Sequence, residues 1–224
     1  MKCLICKKAL TYRLTIKDLL WPDKISFPVI CPQCQQGFAK IGTGRCPGCS
    51  RPQEVPILCA ECRAWQEKYG WHLRHRALYR YNDAMKAFMQ QYKFNGDYMM
   101  RHVFHDEFVQ AIQAAKADRV VPIPVTPTTM KTRGFNQVGG LLTGVKITEC
   151  LHTRQKSKQA QSKKTRQERL ATKQPFRLAS NYQLVGQTVL LVDDVYTTGR
   201  TLYHAAALIH KAGAREVISI SLAR

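Results

Sequence analysis

Residues 189–202, VLLVDDVYTTGRTL, constrain the fold of this chain more tightly than any other stretch. Val189–Val192 is a short, uninterrupted, β-branched apolar run, the pattern of a strand buried on both faces of a parallel sheet. After Thr201 the period changes: Leu202, Ala205, Ala206 and Ile209 stand at i, i+3, i+4 and i+7, one face of a helix. Lys211 belongs to its last turn and Gly213 is a natural stop. Val217–Leu222 (VISISL) then reads as another strand. The region is therefore β-turn-α-β, with Asp193, Asp194 and the TTGRT loop at a strand's carboxyl end, the edge where open α/β sheets bind ligands.

Each residue type there has a chemical use. Backbone N–H groups of Thr197–Thr201 open a helix N-terminus, where unpaired donors and the helix dipole favour a phosphate. Gly199 admits close approach of an anion, and the threonine hydroxyls add donors. Two carboxylates repel a phosphate, but they accept hydrogen bonds from a sugar diol or hold Mg²⁺ beside a second phosphate group. Together these features suit a phosphorylated ribose. The acidic strand end of a P-loop ATPase is the competing reading, but it needs G-x-x-x-x-G-K-[ST], and the chain contains no Gly-Lys pair. A ligand-free pair of turn aspartates is the other.

The amino-terminal third follows different rules. Eight of the nine cysteines form four C-x-x-C pairs: Cys3/Cys6, Cys31/Cys34, Cys46/Cys49 and Cys59/Cys62. Two such knuckles complete a tetrahedral sulfur shell suited to zinc, closed and hence structural. Simple nesting gives one site from Cys3, Cys6, Cys31 and Cys34 and a second from Cys46, Cys49, Cys59 and Cys62; an interleaved pairing satisfies the spacing equally. Disulfides are the alternative, disfavoured in a leaderless chain expected in a reducing compartment. Cys150 has no partner in sequence and reads as a packed thiol. With no run of 18 apolar residues, the expectation is a soluble cytoplasmic protein without membrane insertion, compatible with peripheral attachment to a membrane-bound partner.

The formal charge is +20, and two Zn(Cys)₄ sites would lower it to +16. Residues 151–177 carry nine Lys/Arg and one acid, a density that opposes burial and predicts an exposed, mobile loop. Standing just before the strand that leads to the acids, its Lys156, Lys158, Lys163, Lys164, Arg166 and Arg169 are candidates for closing over phosphates or tracking a nucleic-acid backbone. Between these regions, Ala77–Tyr81 alternates like a strand, and Asn82 caps a helix with Met85, Phe88, Met89 and Tyr92 on one face. Asp118–Val125 reads as a buried strand, and Arg133–Leu142 as the opening of a further helix. The predicted fold is α/β: a small double zinc ribbon over 1–65 and a parallel-sheet domain over 66–224.

The stretch 189–202 closely resembles the phosphoribosyl pyrophosphate (PRPP) signature of type I phosphoribosyltransferases. The four C-x-x-C pairs, the PIP strand end at 122–124, RGFNQ at 133–137 and VDDVYTTGRTL at 192–202 together make the whole chain similar to the ComF family of competence proteins (the ComFC/GntX group). That resemblance implies a type I phosphoribosyltransferase-like domain behind a double zinc ribbon. Asp193 and Asp194 would contact the ribose and carry any catalysis, while Thr197, Thr198, Gly199 and Thr201 would wrap the 5′-phosphate. Arg200 would add charge or face solvent, and Arg133 would border the pyrophosphate, with Mg²⁺ as the ligand's companion. It further implies a role in DNA uptake during natural transformation, with single-stranded DNA and the ATP-driven helicase ComFA as partners. Catalytic turnover to an unknown acceptor, and a pure interaction module with a relic site, are the competing functional readings.

Overall fold

A computed structural model describes residues 1–11, 20, 27–154, 174–180 and 182–224. Its centre is a four-stranded, all-parallel sheet of β1 (Arg74–Tyr79), β2 (Arg119–Pro122), β5 (Thr188–Val195) and β6 (Glu216–Ala223), ordered β1-β6-β5-β2. The register pairs Val120 with Leu190 on one side of β5 and Leu190 with Ile218 on the other. Val189–Val192 are all buried, as a central strand covered on both faces requires. A short antiparallel hairpin, β3 (Leu151–Thr153) and β4 (Phe176–Leu178), flanks the base of the basic segment. The six basic residues singled out there, Lys156 to Arg169, lie outside the described residues.

Side-chain alternation divides the core into two layers. Leu190 and Val192 of β5 face α3 (Asp83–Lys93), α4 (His105–Ala114) and the intervening 3₁₀ turn Tyr98–Val103. Val189 and Leu191 face the other way, toward α7 (Arg200–Lys211). The helix expected after Asn82 forms as read: the Asn82 side chain accepts from Met85 N at 3.0 Å, and Met85, Phe88, Met89 and Tyr92 are all buried. In α7, Leu202, Ala205, Ala206 and Ile209 are buried and Gly213 adopts φ +87° just beyond its end.

Arg133 closes α5 (Pro127–Arg133), and the helix expected to open within Arg133–Leu142 is α6 (Gln137–Leu141), which starts four residues later. Gly134 at φ 82° ends the first, and the Asn136 side chain caps the second by accepting from Val138 N and Gly139 N. A glycine in the left-handed region followed by an Asx cap outweighs the apolar periodicity that spans both.

The cysteine-rich segment, with α1 (Pro32–Gln36) and α2 (Ala60–Tyr69), packs on both layers. Cys3, Cys31 and Cys34 join the α3/α4 layer, and Cys46, Cys49, Cys59 and Cys62 join the α7 layer. Between the two groups the chain crosses the exposed side of edge strand β1. Ile41 N donates to Leu78 O, Arg80 N to Ala39 O, His75 N to Gly48 O, and Ser50 Oγ to His75 O. An otherwise open sheet edge is thereby paired and covered. The expected division after residue 65 falls inside α2, which runs unbroken from Ala60 to Tyr69.

Candidate functional site

The eight cysteines of the C-x-x-C pairs gather in the nested arrangement. Cys3, Cys6, Cys31 and Cys34 form one group and Cys46, Cys49, Cys59 and Cys62 another, with the sulfurs of each within 4.8 Å of one another. Sulfur pairs stand at 3.8 Å (Cys6/Cys31), 3.8 Å (Cys46/Cys62) and 3.6 Å (Cys49/Cys59). A tetrahedron with Zn–S near 2.3 Å has edges of about 3.8 Å, so both groups fit zinc, whereas a disulfide needs about 2.05 Å. All eight are free thiols, as is Cys150, which is buried as a packed residue. In each group one thiol is shifted toward thiolate, while Cys34 in the first and Cys59 and Cys62 in the second are pushed up by burial and their neighbouring sulfurs. Burial resists ionisation of Cys3, yet backbone N–H groups bring its thiol down to about 6. The Cys62 thiol, with help from the Arg51 backbone and the Arg224 charge, holds Cys49 at about 5 against its burial.

The acids sit where the parallel strands end. Pro122, the last residue of β2, pairs with Val192, so Asp193 and Asp194 extend past that neighbour at the carboxyl edge. Successive residues on a strand point to opposite faces, which separates the two acids. Asp194, 5% exposed, follows Leu190 and Val192 toward α3, where its Oδ2 lies 2.5 Å from Lys93 Nζ. Its Oδ1 accepts from Val195 N at 2.7 Å. Asp193 lies on the α7 face and accepts from Asp194 N at 2.9 Å. Burial, reinforced by the neighbouring Asp194 charge, raises the Asp193 carboxyl well above the usual carboxylate range, and Lys93 offsets part of that.

The loop after the acids leads directly into the N-terminus of α7. Gly199 has φ 77° and is the N-cap of α7, so the first amides of that helix open toward the strand ends. A Cβ on Gly199 would collide with the Tyr196 hydroxyl, which leaves room for no side chain. The amides of Thr197, Thr198 and Gly199 donate to no acceptor among the described residues, and Arg200 N reaches only Thr198 Oγ1 at 3.5 Å. Thr197, Thr198, Arg200 and Thr201 are exposed. Three of the amides that the sequence assigns to a phosphate, those of Thr197, Thr198 and Gly199, are thus unspent among the described residues.

Arg133 ends α5, donates to Gln137 Oε1, and lies 5.7 Å from the Phe94 ring centre. Phe94 follows Lys93, so Arg133 approaches the acids from the α3 side. A cleft of about 850 Å³ opens at the β2 side of the same sheet edge, lined by Pro124, Val125, Pro127, Met130, His152, Thr153, Arg154 and Arg177. The two acids are not among its lining residues. It joins the loop after β2 to the β3/β4 hairpin and so sets two arginines opposite the PIP strand end.

Sequence reading alone missed Lys93 and Arg224. Lys93 carried the signal of a cation in the last turn of a helix, but only the fold brings it to Asp194. His75 is buried between Ser219 Oγ at 2.9 Å and Ser221 Oγ at 3.0 Å, and burial with the Arg224 charge pushes its pKa down to about 3. No described helix is long and apolar enough to cross a membrane.

Known proteins share these features. Residues 124–224 match the family model described as a phosphoribosyl transferase domain. Over 226 residues covering all of both chains, the sequence is 37% identical to the competence protein ComFC of Streptococcus pneumoniae. It is 33% identical to the Bacillus subtilis protein of the same name over 237 residues, 99% of this chain and 94% of the relative. It is 24% identical to competence protein F of Haemophilus influenzae, over 87% of this chain and 96% of that protein. With a phosphoribosyltransferase-type sheet, two cysteine clusters that fit zinc ribbons and relatives matched along their full length, the chain belongs to the ComF family of competence proteins.

Proposed function

We propose that this competence protein binds a phosphorylated ribose of the PRPP type at Asp193, Asp194 and the 197–201 loop, and handles single-stranded DNA during uptake. The observation that carries the first half is the pairing of two acids with a loop whose Thr197, Thr198 and Gly199 amides have no acceptor among the described residues. The loop takes the 5′-phosphate, because a helix N-terminus supplies donors and a favourable dipole without a counter-charge. Asp193 accepts the ribose hydroxyls. Asp194, neutralised by Lys93, limits the repulsion that two bare carboxylates would exert on the ligand's phosphates. Arg133 and the arginine-bearing cleft after β2 face the pyrophosphate, which Mg²⁺ accompanies. Zinc in the two cysteine clusters is structural, since a four-thiolate shell has no open position.

The DNA half rests on charge and on the relatives. A formal +20, of which +8 falls in residues 151–177, suits a polyanion. The helicase ComFA is the partner that family membership suggests. Catalytic phosphoribosyl transfer is the second reading, and it requires Asp193 to ionise against its raised pKa. A carboxyl beside C1′ could stabilise developing positive charge there once ionised.

Titration of the full chain with PRPP and Mg²⁺ tests the ligand, with Asp193→Asn/Asp194→Asn expected to remove binding and unaltered affinity contradicting the site. For DNA, contact with about six phosphates of a single strand gives a slope near −4 in log affinity against log salt, a loss of about 10²–10³-fold between about 50 and 200 mM. Replacing Lys156, Lys158, Lys163, Lys164, Arg166 and Arg169 by Ala should flatten that slope, and an unchanged slope removes the segment from the DNA site. Pyrophosphate release over a panel of bases and amines, lost in the double Asn variant, would establish turnover.

A further inference from the structure

The second cysteine cluster is tied to the 197–201 loop by a short chain of contacts. Helix α2 starts at one of its cysteines: Cys59 is the N-cap, and Cys62 lies in the first turn. Glu61 stands between those two, and Trp65 follows it by four residues, on the same face of the helix. Glu61 Oε2 accepts from Arg224 Nη2 at 3.2 Å, and Arg224 Nη1 donates to Thr197 O at 3.1 Å. Trp65 Nε1 donates to Thr198 O at 3.0 Å. The indole ring stacks on Tyr203 of α7, with centroids 4.6 Å apart and planes 16° from parallel. Arg224 lies 4.7 Å from the Tyr196 ring centre and its side chain is 8% exposed. Both donors are therefore held by packing as well as by hydrogen bonds.

The geometry of the peptide unit makes these two bonds matter. In a planar trans peptide the C=O of one residue and the N–H of the next point in opposite directions. Fixing Thr197 O fixes the direction of Thr198 N–H, and fixing Thr198 O fixes that of Gly199 N–H. Those are two of the three unspent amides of the cradle. Donors on the zinc-cluster side thus pull the carbonyls back and aim the amides forward, toward the phosphate position.

We propose that Trp65 and Arg224 are positioning residues for the phosphate loop, and that metal held by Cys46, Cys49, Cys59 and Cys62 sets the loop's affinity for phosphate through α2. The inference rests on the reading of that loop as a phosphate cradle. Losing the metal frees the start of α2, releases Glu61 and Trp65, and lets the two peptide units rotate. The coupling is reciprocal by linkage, so a phosphate ligand slows loss of metal from this cluster. The first cluster touches the opposite layer of the core and serves as the internal control.

The test uses the full-length, zinc-loaded chain and ribose 5-phosphate as probe. Trp65→Phe keeps a ring on Tyr203 but removes the N–H, and Arg224→Met keeps an apolar stem over Tyr196. Each should weaken calorimetric affinity by about two- to tenfold, the effect of one hydrogen bond of ordinary net strength, with zinc content and melting temperature close to the parent's. In the unsubstituted chain, saturating ribose 5-phosphate should slow zinc transfer to a chromogenic chelator for one of the two metals and leave the other unaffected. Equal affinity in both variants, or zinc release indifferent to the ligand, overturns the coupling while leaving the cradle intact. An unsubstituted chain that binds no ribose 5-phosphate overturns the cradle and the coupling together.

Discussion

Replacing Lys93 by Met is the sharpest probe of how the acids are held. The ammonium lies 2.5 Å from Asp194 Oδ2, and the two side chains are 16% and 7% exposed. Removing one partner of a buried pair leaves the other charge desolvated and uncompensated, which costs about 3–5 kcal/mol. Asp194 keeps its bond from Val195 N, and Met fills most of the Lys stem's volume, so packing loss adds little. For a chain of this length each kcal/mol moves the melting temperature by about 2–4 °C, giving a fall of about 6–20 °C. Calorimetry or denaturant unfolding of the zinc-loaded protein measures it. Adding Asp194→Asn to Lys93→Met should recover part of the loss, because no charge remains to be desolvated, and the cycle isolates the pair from the packing change. A single-variant cost below about 1 kcal/mol, with no recovery in the double variant, would refute the argument that Lys93 neutralises a buried carboxylate.

Gly199→Ala should cost about 2–5 kcal/mol in stability or an equivalent loss of ligand affinity, combining a left-handed backbone penalty with overpacking. The new methyl meets Tyr196, itself fixed between His75 and Arg224. Binding and unfolding at parental values would mean that the loop tolerates a Cβ. His75 stays neutral when folded down to about pH 3 but takes a proton near 6.5 when unfolded. It therefore contributes stability that is complete above about pH 6.5 and lost below it at about 1.4 kcal/mol per pH unit. His75→Gln should lack this component, so parallel pH–stability curves for parent and variant would contradict the buried, neutral assignment. Stripping zinc with a strong chelator should open both faces of the core and remove cooperative unfolding, since each cysteine group is part of one core layer.

The strand, acid pair, loop and α7 were legible because their signals are local. Continuous burial, a left-handed glycine and a 3.6-residue period all act within fourteen residues. The cysteine pairs were legible for the same reason, although spacing left nested and interleaved groupings equal, and only the fold brings Cys3 beside Cys31. What sequence could not give is what joins distant elements. Lys93 meets Asp194 across 101 positions, and Trp65 meets Thr198 across 133. Neither residue is unusual in its own helix, where a terminal lysine and a half-buried tryptophan read as ordinary packing. The helix expected to open within Arg133–Leu142 does so at Gln137 rather than Arg133, because Gly134 ends the preceding helix and Asn136 caps the next. The division after residue 65 suggests a detachable ribbon, yet the segment before it covers the edge of β1 and contributes to both core layers. Perturbing the site by substitution in the full chain is therefore preferable to truncation.

The central claim is that the loop amides grip a phosphate beside the acid pair. The most direct measurement is the amide spectrum of the ¹⁵N-labelled, zinc-loaded chain during titration with ribose 5-phosphate. Thr198 and Gly199 N–H resonances should move downfield together and saturate, as donors to an anion do, while buried amides of β5 such as Leu190 and Leu191 stay in place. Saturating ligand that leaves Thr198 and Gly199 unmoved, or shifts confined to residues away from the strand ends, would contradict it.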